Sequence, residues 1–196
     1  MPNCDFLIAA DIAQNCQNPS TSGCKNTGYI VNYDDIDWDT LARSESNPNL
    51  IESLPLKDGK NAYRIYIPGS TPFTGTNSAL VTGTYRNKFT KTLNLVVLDN
   101  GASVAHNIID QLANGQFVVV IENKYSGTNN DNTFEVYGLE QGLSASEMTA
   151  DKYSEEQDGG WAVTLQETNA PSSGIYLLAS TVSATRTLLE GLLAAS

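Results

Sequence analysis

The sequence is poor in the residues that most enzymes depend on. One histidine and three cysteines serve a chain of 196 residues. A lone imidazole, His106, cannot pair with a second to hold a metal, and a single histidine leaves little room for acid-base chemistry. Basic residues are scarce too: 11 Lys and Arg stand against 22 Asp and Glu, a net charge of -11. A protein that binds nucleic acid displaces counterions with cations, so this balance argues against such a role. Charged residues make up 17% of the chain, against about 25% in an average domain. No apolar run reaches the roughly 18 residues that would predict a membrane-spanning helix. The opening residues, MPNCDFLIAADIAQNC, carry Asp5 and Asp11 with no leading Lys or Arg, so no secretory signal is expected. GxxxxGK[ST], GxGxxG and GxSxG are all missing, which removes the phosphate cradles and the nucleophile elbow.

What is there suits one folded unit. Hydrophobic residues are 40% of the chain, enough for a single core, and residues 1–196 are read as one domain. Composition favours a mainly β protein without catalytic residues, cofactor or metal.

Cys4, Cys16 and Cys24 cluster near the start, with spacings of 12 and 8 residues. These miss the short knuckle of a zinc site, and an odd count makes a poor disulfide framework. Free thiols are the expectation. Asp35, Asp37 and Asp39 imitate the first ligands of a calcium loop, but Thr40 and Ser46 stand where Gly and Glu are required. Solvated acids around an inward Ile36 and Trp38 are expected instead.

Residues 1–28 read as an N-terminal arm and loop, followed by a strand at 29–33. A second strand is predicted over 62–67, then a long exposed loop over 68–83. From 84 to 99 the sequence alternates: Tyr85, Phe89, Leu93, Leu95 and Val97 share one parity, with Arg86, Lys88, Thr90, Thr92 and Asn94 on the other. Period-two alternation predicts a long strand with one solvated face. Asn100-Gly101 turns the chain, Ser103 offers a helix cap, and Val104, Ile108, Ile109 and Leu112 form an apolar stripe. Asn114-Gly115 predicts a left-handed stop. The run Phe117–Ile121 is a strong strand, and others are predicted over 133–137, 161–167 and 175–178. An acidic segment of net charge -6, counted from Glu135 to Asp158, leads from the first of these three to the second. Residues 180–196 form an apolar tail with weak helical periodicity, able to dock on its own domain or on a neighbour.

LNLVVLDNGASVAHNIIDQLANGQFVVVIENKYSG, FEVYGLEQGLSASEM and DGGWAVTLQETNAP, with the earlier NTGYIVNYDDIDWD, resemble the tail tube proteins of long-tailed phages, in the form carried by phages of Bacteroidetes hosts. The resemblance implies a β-sandwich or small barrel with a flanking helix, an extended loop and a C-terminal arm. It implies a virion protein made in the host cytoplasm. Six copies would form a ring, rings would stack into a tube, and DNA would transit the lumen without specific binding. Other tail or neck proteins would be partners.

On that basis Arg86, Lys88 and Lys91 are expected on one stacking face. The acidic stretch with Glu140, Glu147, Asp151, Glu155, Glu156 and Asp158 is expected on the opposite face. Leu188, Leu189 and Leu192 would strap onto a neighbouring subunit. Two alternatives carry other predictions: a neck or capsid-auxiliary protein, and a carbohydrate-binding adhesin module using Trp38 or Trp161.

Overall fold

The computed structural model describes residues 7–13 and 15–194. Ten strands form two sheets: β1 (Cys24–Asn32), β2 (Leu50–Ile51), β3 (Tyr63–Tyr66), β4 (Phe73–Val81), β5 (Lys88–Val97), β6 (Phe117–Asn123), β7 (Phe134–Tyr137), β8 (Ser144–Ala150), β9 (Trp161–Ala170) and β10 (Ile175–Leu177). One sheet has the order β2-β10-β7-β6-β1-β3, the other β4-β5-β9-β8. All pairings are antiparallel except β10 with β2.

β6 shows why the layers stack as they do. Its sequence, FVVVIEN, is apolar at consecutive positions, as a strand buried on both faces must be. Val118 and Val120 join Tyr29, Val31, Phe134 and Val136 in one core, closed by Ile36, Ile51, Leu54 and Leu189. Phe117, Val119 and Ile121 join Phe73, Leu93, Leu95, Val163 and Leu165 in a second. The six-stranded sheet is therefore the middle layer. The four-stranded sheet covers one face, and the 36–56 segment with a C-terminal helix (Val182–Gly191) covers the other. The mainly β architecture with one packed internal helix agrees with the sequence reading, and the tail adds a second, short helix.

That internal helix runs from Ala102–Val104 through a π-helical turn, Ala105–Ile109, to Asp110–Asn114. Ile109 and Leu112 are buried as the stripe predicts, whereas Ile108 is turned out by the wide π turn. Two expectations at its ends fail. Gly101, not Ser103, is the cap residue, and Ser103 Oγ instead accepts a hydrogen bond from Asn107 Nδ2 at 3.1 Å. Gly115 is not left-handed, with φ at -93°. Glycine is needed there because a Cβ would lie 2.4 Å from the Phe117 ring and 2.9 Å from the Gln111 carbonyl oxygen.

Other boundaries move for identifiable reasons. The expected loop over 68–83 contains β4, whose Gly75, Asn77 and Ala79 have low strand preference on their own. The ladder with β5, from Thr76 opposite Leu93 to Val81 opposite Lys88, supplies the order. Exposure was read correctly, since beyond Phe73 no residue of β4 is buried. Residues 84–87 make the turn of this hairpin rather than the start of β5. β1 begins at Cys24, inside the expected N-terminal loop. β8 hides in the acidic segment because none of its residues is buried. Ile36 is buried as expected, but Trp38 is 38% exposed and tilts against Tyr33, ring centroids 4.8 Å apart.

Candidate assembly surfaces

β5 carries three cations in six residues, and the fold separates them. β9 pairs with β5 only as far as Ala170 opposite Phe89. Past that point the β4–β5 ladder runs on by one pair, Val81 with Lys88, before the turn at 82–87, with Leu80 level with the end of β9. Leu80 and Val81 are exposed there, Tyr85 fully so, and Arg86 and Lys88 are exposed beside them. The acidic residues Glu147, Asp151, Glu155, Glu156 and Asp158 are also exposed. Residues 151–160 join β8 to β9 and begin where Ala150, Trp161 and Val97 lie side by side. The basic hairpin tip and the acidic connection therefore occupy opposite ends of the same sheet, about 30 Å apart at the rise of a ten-residue strand.

Lys91 and Glu140 do not belong to these surfaces. Lys91 sits on the inward parity of β5 with Leu93 and Leu95, and is 1% exposed. Its cross-strand partner is Glu167, on the inward parity of β9 with Val163 and Leu165. Lys91 Nζ lies 3.5 Å from Glu167 Oε2 and donates to Glu140 Oε2 at 3.3 Å. The expected contact between subunits is thus an ion pair within one chain. Glu140 also accepts from Arg43 Nη2 at 3.1 Å and from Ser172 Oγ at 2.8 Å. Burial alone would raise the Glu140 carboxyl; Ser172, Lys91 and Arg43 outweigh it and hold the group below its ordinary value.

Glu167, wholly buried, organises the turn after β7. Its carboxylate accepts from three backbone N–H groups: Gly138 at 3.2 Å, Glu140 at 2.9 Å and Gln141 at 2.7 Å. Gly138 has φ at 83°, and a Cβ would lie 2.4 Å from the Phe117 carbonyl oxygen, so no other residue lets the turn approach the carboxylate. Sequence reasoning missed Glu167. The signal was present: a lysine and a glutamate each occupy the apolar parity of a predicted strand, where only a paired charge is stable. With its acceptors and donors engaged, the cluster is built to fix the fold rather than to react.

The C-terminal tail is also internal. Leu189 is 1% exposed, and Leu188 and Leu192 pack against the same core, so the tail docks on its own domain. Glu122 on β6 fastens it: its carboxylate takes Lys25 Nζ at 2.7 Å and the Arg186 guanidinium of the helix. Burial raises the Glu122 carboxyl, but Arg186 and Lys25 pull it below the ordinary range. Glu190 completes the attachment, accepting from Tyr29 Oη at 2.7 Å and pairing with Arg64.

One large concavity remains. A groove of about 980 Å³ lies between β3, the end of β5 and the internal helix, with Tyr63, Tyr66, Ile67, Leu98, Ile108 and Phe117 among its walls. Arg64 and Asp99 are its only charged lining residues. His106 is exposed on the π turn and is not among them. Trp161 is half-buried against the second core. Among the described residues no group of three or more His, Cys, Asp or Glu is placed to hold a metal, and no helix is long and apolar enough to cross a membrane. Cys24 is a half-buried free thiol, Cys16 is exposed, and Cys4 lies outside the described residues. Comparison with protein-family models, with curated proteins and with solved structures finds no match for this chain.

Proposed function

We propose that this chain is a self-assembling structural subunit, one of six in a ring, whose rings stack into a phage tail tube that passes DNA. The observation that carries the reading is the placement of opposite charges at opposite ends of one sheet. A basic, apolar-tipped hairpin projects at the Lys88 end of β5, and an acidic connection lies beside the Val97 end. A patch that complements a different patch on the same molecule makes a heterologous contact, and repeated heterologous contacts generate rings and stacks. A hairpin exposed on both faces is short of buried surface alone and gains it in such a contact. A net charge of -11 suits a channel wall that must not hold DNA, because acids repel phosphate and offer no counterion release.

Negative-stain microscopy with sedimentation velocity on the purified protein tests this. Rings, or tubes with a central channel, are expected. A strictly monomeric species across the accessible concentration range refutes the reading, and a single closed ring without stacking redirects it to a neck or capsid-auxiliary role.

A further inference from the structure

We propose that residues 7–13 of one copy add as an edge strand along β3 of a second copy and fill the groove there. The segment, LIAADIA, has no regular structure and lies in the wrong environment for its composition: Leu7 is 81% exposed, Ile8 80% and Ile12 93%. β3 is the end strand of its sheet; the Ala62 N–H before it is held by the Leu192 carbonyl at 2.7 Å, which leaves the edge from Tyr63 to Tyr66 for backbone pairing. The seven residues 7–13 are long enough to run along the four of β3, Tyr63–Tyr66.

They also fit in chemistry. On an added strand Ile8, Ala10 and Ile12 share one parity and Asp11 takes the other. Tyr63, Ile65 and Ile67 share the parity whose Ile65 packs on the second core beside the groove, so the two isoleucines enter beside Leu98 and Ile108. Asp11 then falls on the face of Arg64, a cation that is 44% exposed although paired with Glu190.

The donor is a second copy because of where the arm leaves its own domain. Asn15 Nδ2 donates to Thr128 Oγ1 at 3.4 Å, Asn18 Nδ2 to the Gly127 carbonyl at 3.3 Å, and Tyr125 Oη to the Asn18 carbonyl at 3.4 Å. These contacts tie the arm over the β6–β7 connection, on the far side of β1 from β3. The contact is heterologous and propagates from copy to copy. It rests on the self-assembly reading for the presence of a second copy, but not on the hairpin.

The test therefore starts from full-length protein carrying Arg86→Glu and Lys88→Glu, in which the hairpin contact is disabled and the arm is read alone by sedimentation velocity. Association should persist. Adding Ile8→Glu and Ile12→Glu should weaken it roughly a hundredfold or more, since each buried aliphatic side chain counts about tenfold. Adding Leu98→Glu and Ile108→Glu to the other partner should do the same, with circular dichroism confirming that its fold is kept. Mixed together, the arm variant and the groove variant should form a one-to-one complex, because one intact arm meets one intact groove. A monomeric hairpin variant overturns the arm contact and leaves the ring reading standing. Unchanged association in either charged variant overturns it too. Protection of the Ile12 amide from hydrogen exchange in a monomer would place the arm in its own groove and also overturn the proposal.

Discussion

The two ends of β5 differ more than their sequences suggest. Lys88 and Lys91 are three residues apart, carry the same charge and share one strand, yet Lys88 is exposed and Lys91 is 1% exposed. Two facts separate them. Lys91 takes the inward parity, and it lies within the reach of β9, whose pairing ends at Phe89. Burial of a charge is decided by which strands flank it and what stands opposite, not by its own polarity. The same residue type is a fold determinant at one position and an available surface charge three positions earlier.

The largest expected effect breaks the buried end. Glu167→Ala leaves Lys91 with Glu140 as its one remaining carboxylate partner and removes the acceptor of three N–H donors, Gly138, Glu140 and Gln141. Breaking a buried pair by removing one partner costs about 3–5 kcal/mol, a large share of a typical domain's stability. Lys91→Met should cost less, because Glu167 keeps its three N–H donors, and Glu140 keeps Arg43 and Ser172. Urea titration of both variants checks the order. Equal losses would mean that the ion pair, rather than the turn it organises, is what the cluster supplies.

Aliphatic truncation should draw the same boundary along the hairpin. Leu93 is completely buried between the sheets, and Leu80, on β4 level with the last residue of β9, is 57% exposed. Leu93→Ala is expected to cost about 3 kcal/mol by transfer and cavity formation. Leu80→Ala should stay within about 0.5 kcal/mol in the isolated protein. At 2–4 °C per kcal/mol for a chain of this size, thermal melts distinguish the two directly.

Acid should act on the interior cluster before it acts on the tip. The Glu140 and Glu122 carboxyls are held below their ordinary value near 4.5, so their contributions are fully present above that value and are lost as pH falls through the depressed folded values. Glu135 has the opposite sign. Burial, chiefly, raises its carboxyl, so the stability it contributes is present below the ordinary value and lost as pH rises through the folded one. Stability measured across pH 2 to 7 should therefore fall toward acid less steeply in Glu140→Gln, and Glu135→Gln should gain stability at neutral pH.

Much of the fold was legible because its strongest signals are periodic. β6 is a continuous apolar run, β5 alternates, and the internal helix carries its stripe. β4 and β8 were not legible, because their order comes from partners 7 to 22 positions away in sequence rather than from their own residues. Arg86, Lys88 and the acids from Glu147 to Asp158 could be assigned to the surface from charge alone. Lys91, Glu140 and Leu189 could not, since the surface assignment ignored the parity of Lys91 and the core that the tail completes. The groove was invisible: it is made by an edge strand, a strand end and a helix that share no sequence motif.

The smallest expected effect on stability is the one that bears most on assembly. Arg86→Glu with Lys88→Glu changes two exposed side chains on a hairpin tip past the end of β9, so the unfolding midpoint should hold within about 0.5 kcal/mol. Stacking should nevertheless be lost, because acid would then face the acidic connection of the next ring. Like charges brought together across an interface are costly, and restoring complementarity restores the contact. Glu155→Lys with Glu156→Lys on the same chain should therefore recover stacking in the doubly reversed protein while each reversal alone abolishes it. Salt should weaken the wild-type contact, since both patches lie in solvent and are screened within about 10 Å at 0.1 M. Stacking that survives either single reversal would move the contact off the charges and onto Leu80, Val81 and Tyr85 at the tip.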